Sequence, residues 1–178
     1  MYTGILLYHG FSEYELSVLV SVLKQGNKPV VFIGLDHGLV AGEAGMPCYP
    51  QFSINQVDST QLDSLVLPGV DDFEHLVDHH NLKNFLENLK GRELLIGAIS
   101  SAPYLLSMSG LLDGKRYTTG LTREQRKFLA TFDEDYFCEA PLIIDEQVIT
   151  ARGSSYVEFA FQYGESLGLT FDRSWYGR

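Results

Sequence analysis

The stretch from Gly4 to Leu35 reads strand, helix, strand, and that order constrains the fold more than any other feature of the chain. Gly4 to Tyr8 (GILLY) is a short apolar run. After Gly10, the segment SEYELSVLVSVLKQGN sets Leu16, Leu19, Val20 and Leu23 at i, i+3, i+4 and i+7, one face of an amphipathic helix. Ser12 with Glu15 has the spacing of a capping box, and Gly26 suits the C′ position after the last turn. Pro29 to Leu35 (PVVFIGL) is the β-branched and aromatic run of a buried strand. Two strands joined through a helix pair in parallel, because a parallel connection needs a long crossover.

The alternation continues. Ser64 to Leu67 is a strand ending at Pro68-Gly69, and Leu82 to Leu89 is a helix with Phe85, Leu86 and Leu89 on one face. Leu94 to Ile99 is the next strand, Tyr104 to Met108 a helix, and Tyr117 to Thr119 a short strand. Leu142 to Asp145 and Gln147 to Ala151 form a hairpin around Asp145-Glu146, and Tyr156 to Leu167 closes the chain as a helix, with Ser155 and Glu158 again at capping-box spacing. Val40 to Ile54 reads as a hairpin or an edge excursion. These patterns predict one α/β domain over residues 1–178, with a mostly parallel sheet and helices on both faces. Sites in such sheets lie outside the carboxyl ends of the strands. Four segments reach that edge: His9-Gly10, Pro68-Gly69-Val70, Ser100-Ser101 and Thr119-Gly120.

Charge narrows the partners. With 23 acidic against 13 basic residues the net charge is −10, which repels a phosphate backbone and sets nucleic acid aside. Leu94 to Leu112 approaches the ~20 apolar residues of a membrane span. Four serines, two glycines and Pro103 interrupt it, so a buried strand turning into a buried helix is expected instead of a membrane segment. Two cysteines, Cys48 and Cys138, are too few for a disulfide framework, and MYTGILLYHG lacks the basic start of a secretory signal. A cytoplasmic protein is expected.

Ser100 and Ser101 sit between the apolar strand and Pro103. A serine on a sharp strand-to-helix turn has its hydroxyl thrust out beside amides able to hold an oxyanion, as a nucleophile does. Either serine also fits an N-cap. Glu15 is a candidate base for Ser100, and also a candidate cap residue. His9, at the end of the first strand, is a second candidate base. In DDFEHLVDHH, a helix would align Asp72, His75 and His79 at i, i+3 and i+7, a spacing compatible with zinc. The simpler reading is a solvated helix start whose acids favour the N-terminus, so no metal and no other cofactor is expected. The two cysteines read as small buried hydrophobes, and Arg152-Gly153 as a carboxylate partner or part of a dimer surface.

The succession GILLYHGFSEYEL, SLVLPGV, LLIGAISSAPYLLSMSGLLDGKRYTT and ITARGSSYVEFA, over about residues 3 to 168, resembles the ThiJ/PfpI family of the class I glutamine amidotransferase-like superfamily. The resemblance implies a flavodoxin-like three-layer sandwich, commonly a homodimer. It also implies a reactive cysteine at the elbow, an early glutamate bonded to it, and often a nearby histidine. Glu15 matches the glutamate and Gly69 the first glycine of the family's Pro-Gly-Gly turn. Ser100 takes the cysteine's place, and Ser101 supplies the following amide. Val70 replaces the second glycine, and Gly120 stands where many members carry histidine.

A hydroxyl lacks the thiol's accessible ionisation and needs a placed base. The resemblance therefore implies a weak or inactive hydrolase or amidase-type pocket that binds a small molecule or a partner at Glu15 and Ser100. Two alternatives stand beside it: a serine-dependent hydrolase, protease- or amidase-like, acting on a small carbonyl compound, and a structural homodimer with a vestigial pocket.

Overall fold

A computed structural model describes residues 1–177. The first strand, β1 (Tyr2–Leu7), leads into α1 (Glu13–Gln25) and returns as β2 (Val30–Gly34) in parallel register, with Ile5 opposite Phe32. The weakly patterned stretch contains both features expected of it. β3 (Val40–Ala41) and β4 (Pro47–Cys48) make a small antiparallel pair, and β5 (Phe52–Ser53) adds an edge strand to β2. Then follow β6 (Leu62–Leu67), α2 (His80–Glu87), β7 (Leu95–Ile99), α3 (Pro103–Met108) and α4 (Arg123–Leu129). The hairpin β8 (Leu142–Asp145) and β9 (Val148–Ala151) precedes α5 (Tyr156–Ser166).

Among the described residues the main sheet has seven strands in the order β5-β2-β1-β6-β7-β9-β8, all parallel except β8. From β1 the chain steps outward to β2, and from β6 it steps the other way to β7. Because parallel crossovers are right-handed, α1 and α2 must cover opposite faces. α5 packs on α1, and α3 lies by α2. The fold is the flavodoxin-like α/β sandwich. Its central strands are buried on both sides, which is why they read as unbroken apolar runs: Leu65, Val66, Leu67, Ala98 and Ile99 have no exposed surface. Where Thr3 and Ser64 interrupt the runs, their hydroxyls pair at 2.7 Å across β1 and β6, so neither is left unsatisfied in the core. No described helix is long and apolar enough to cross a membrane.

Local signals were overridden at several ends. Ser12 precedes α1 but makes no side-chain cap; its hydroxyl donates to Glu43 Oε1 at 2.8 Å. Ser155 makes no cap bond either. The capping box that does form is Thr122 with Gln125 at α4, a helix the apolar periodicity did not announce. Gly26 ends α1 with φ −75°, and the left-handed residue is Asn27 at φ 54°. Gly26 is needed for a different reason: a Cβ there would lie 2.8 Å from Leu169 Cβ. Tyr117 to Thr119 pairs as a single bridge, Tyr117 with Phe137. Residues 72–79 are not an α-helix. They hold one 3-10 turn, Glu74–Leu76, so the predicted face of Asp72, His75 and His79 does not exist.

Candidate functional site

Ser100 follows β7 at the carboxyl edge of the sheet. Its N–H continues the ladder to the Ala151 carbonyl at 2.8 Å, and its own carbonyl accepts the Gly120 N–H at 2.8 Å and the Thr119 hydroxyl at 2.7 Å. These bonds hold it at φ 62°, left-handed backbone that costs a residue with a Cβ on the order of 1 kcal/mol or more. Neither serine caps α3, since Ala102 occupies the N-cap and Pro103 the first turn. Ser101 is used otherwise: its hydroxyl donates to the Val70 carbonyl at 2.8 Å and accepts the Val70 N–H at 3.0 Å. That pair binds the loop after β6 to the start of α3.

Glu15 comes from the first turn of α1 and is 1% exposed. Its Oε2 accepts the Gly69 N–H at 2.6 Å, and its Oε1 accepts the Tyr14 hydroxyl at 3.3 Å. Burial pushes its carboxyl above the usual carboxylate range. Hydrogen bonds from the Gly69 amide and from the Ser100 and Tyr14 hydroxyls oppose the rise, and the charge of Glu43 adds to it.

Three glycines make room for this contact. A Cβ on Gly69 would lie 2.5 Å from Ser100 Cβ and 2.8 Å from Glu15 Oε2, so the position admits no side chain without displacement. A Cβ on Gly153 would meet Glu15 Oε1 at 2.8 Å and Ser100 Oγ at 3.2 Å. Gly120 stands 3.4 Å from Ser100 Oγ on the same measure. Five chain segments thus converge: the start of α1, the loops after β6 and β7, the Thr119-Gly120 turn, and the residues after β9.

The amides of the site are largely engaged. Val70 does not have a positive φ and completes a bridge to Phe11, with its N–H on Ser101. The Gly69 amide is on Glu15. His9 is not part of this arrangement: it is exposed, its Nδ1 accepts the Ala41 N–H at 3.4 Å, and it lines a different cavity. Cys48 and Cys138 are half-buried away from Ser100, and burial raises the Cys48 thiol, with Glu13 adding to the rise. Among the described residues no group of three His, Cys, Asp or Glu is placed to hold a metal ion. Periodicity did not single out Gly153 and Tyr14 as neighbours of Ser100. Arg152-Gly153 ahead of α5 was the available signal. Arg152 pairs with Glu139 and, with Gly120 and Arg123, lines a cleft of about 630 Å³.

The sequence profile of the DJ-1/PfpI family matches residues 3–166. The chain belongs to the DJ-1/PfpI family. A Bacillus subtilis (strain 168) protein named as an uncharacterized protease is 24% identical over 184 residues, covering 97% of this chain and 87% of that protein. Protein dj-1beta of Drosophila melanogaster is 27% identical over 166 residues, with 92% and 87% covered. A glutathione-independent glyoxalase of Caenorhabditis elegans is 24% identical over 156 residues, with 87% and 82% covered. In structure, a DJ-1 superfamily protein of Agrobacterium tumefaciens superposes with a TM-score of 0.84 at 24% identity, covering 98% of this chain and 94% of that one. Such likeness to other DJ-1/PfpI folds fixes the architecture on which the Glu15 and Ser100 contact is built.

Proposed function

We propose that the site at Glu15 and Ser100, beside the cleft lined by Gly120 and Arg152, binds a small carbonyl- or carboxylate-bearing molecule in the cytoplasm, and that its hydrolase or amidase-type chemistry is weak or absent. Ser100 stands where the family resemblance puts a reactive cysteine, and Gly120 where it often puts histidine. The observation that carries the reading is the engagement of the amides. The Gly69 N–H is held by Glu15 and the Val70 N–H by Ser101, which leaves the Ser101 amide to face an oxyanion growing at Ser100. A hydroxyl without a free base and without paired amides is a poor nucleophile.

Incubation with a fluorophosphonate followed by intact-mass measurement is expected to show no adduct, whereas a metabolite mixture raises the melting temperature of the parent protein and not of Ser100→Trp. An adduct mapped to Ser100 replaces this reading with the second one.

That second reading, a serine-dependent hydrolase acting on an amide, ester or similar small carbonyl compound, is favoured by the strained φ of 62° at Ser100, since strain of this kind is stored at nucleophile elbows. Relatives named as a protease and a glyoxalase are in keeping with it. The homodimer is part of the same proposal. Sedimentation equilibrium tests it, and a single monomeric species removes the homodimer from this reading.

A further inference from the structure

Four of the five histidines of this chain, His9, His37, His75 and His79, line one cavity of about 260 Å³. They come from three places: the end of β1, the turn after β2, and the segment after β6. The cavity therefore lies at the carboxyl ends of β1 and β2, on the edge at which open parallel sheets bind ligands. It does not include Glu15, Ser100, Gly120 or Gly153. Its remaining lining is apolar at Leu7, Leu35, Leu39 and Val40. Tyr8 lines it too, with its hydroxyl donating to the Pro68 carbonyl.

Two of the rings have their tautomer set by the backbone. His9 Nδ1 accepts the Ala41 N–H at 3.4 Å, and His79 Nδ1 accepts the Leu82 N–H at 3.2 Å. A neutral imidazole that accepts at Nδ1 carries its proton on Nε2, so each ring has a donor left and no lone pair for a metal. His37 and His75 are exposed and make no side-chain hydrogen bond among the described residues, so each is free to donate. The polar side chains lining the cavity are thus four imidazoles and one carboxylate, Asp36, the Tyr8 hydroxyl being held by the Pro68 carbonyl. Asp72, Glu74 and Asp78, on the segment that carries His75 and His79, are exposed and outside the lining.

We propose that this cavity is a binding site for a small organic oxyanion, a phosphomonoester or carboxylate on a short carbon skeleton, held by the imidazoles of His9, His37, His75 and His79 at the carboxyl ends of β1 and β2. The imidazole N–H groups take the anion and the leucine and valine floor takes the carbon skeleton. The Asp36 carboxylate opposes the anion.

Isothermal titration with inorganic phosphate and with glycerol phosphate separates the free ion from an organic ester. Glycerol phosphate is expected to bind more tightly than inorganic phosphate. The double variant His37→Ala/His75→Ala weakens binding of both ligands roughly tenfold, with its melting temperature showing that it is folded; if it is not, His37→Gln alone weakens binding. Asp36→Asn tightens binding several-fold. No affinity for either ligand, affinity unchanged in the histidine variants, or weaker binding in Asp36→Asn, the sign of a cation site, overturns the proposal.

Discussion

The Glu15 carboxylate accepts the Gly69 amide at 2.6 Å, and a Cβ on Gly69 would sit 2.5 Å from Ser100 Cβ. One bond between α1 and the loop after β6 therefore sets how close Ser100 stands to an acid.

Gly69→Ala tests that closeness. The added methyl must push back Ser100 or the loop, a cost of about 1–3 kcal/mol for overpacking. Gly120→Ala, whose Cβ meets Ser100 Oγ at an ordinary 3.4 Å, is expected to cost less. Urea unfolding of the two variants checks the order; equal losses would show that the gap at Gly69 is not what holds the contact.

Glu15→Gln tests the burial of the acid. Because burial raises the Glu15 carboxyl, the folded protein holds this proton over a pH range in which the unfolded chain has released it. Stability from this group is then greatest below the ordinary carboxylate value and declines as pH rises through the raised one. Glu15→Gln removes that decline, so the denaturation midpoint varies less with pH over this range. An unchanged slope would mean that the carboxyl ionises as freely in the folded protein as in the unfolded chain.

Ser100→Gly tests the strain. Glycine adopts φ 62° without the Cβ penalty, so the variant is expected to gain about 1 kcal/mol, a rise of roughly 2–4 °C in melting temperature for a chain of this size. Ser100→Ala keeps the strain and brings no such gain. Calorimetry of the pair distinguishes backbone relief from loss of the hydroxyl.

Glu134→Gln tests a contact away from the site. Arg126, 5% exposed, donates to Glu134 from Nε at 2.7 Å and from a terminal nitrogen at 3.0 Å, beneath the Phe137 ring. Removing one partner of a buried pair costs several kcal/mol. Glu134 is 35% exposed, and solvent screening reduces the expected loss to about 1–2 kcal/mol. The Arg126 guanidinium also holds the Glu134 carboxyl below its usual range, so this contribution is present above the ordinary carboxylate value and disappears as pH falls through the lowered one. A loss equal at neutral and strongly acid pH would contradict the ion pair.

Periodicity made the sheet and its main helices legible, because central parallel strands need apolar residues on both faces and helices need one apolar stripe. The order of motifs also places Glu15, Gly69, Ser100 and Gly120 in the same neighbourhood, and the structure brings those residues together. α4 is not legible in the sequence because its seven residues bury only Arg126, so no apolar stripe announces it.

Side-chain use at the element ends was decided by tertiary contacts alone. Ser12 and Glu15 have capping-box spacing, yet Ser12 turns to Glu43 and Glu15 to Gly69, because the incoming loops offer these groups better-placed partners than their own helix does. Ser101 likewise serves Val70 instead of α3. Asp72, His75 and His79 looked like one helical face, and the chain turns differently there. His75 and His79 instead meet His9 and His37, whose distance along the sequence hides the cluster. The sequence by itself determined the central strands and the main helices, since their apolar patterns depend on neighbours within a few residues. Which hydroxyl, carboxylate or imidazole faces which partner depends on groups tens of residues away, and only the folded sheet edge brings them within hydrogen-bond reach.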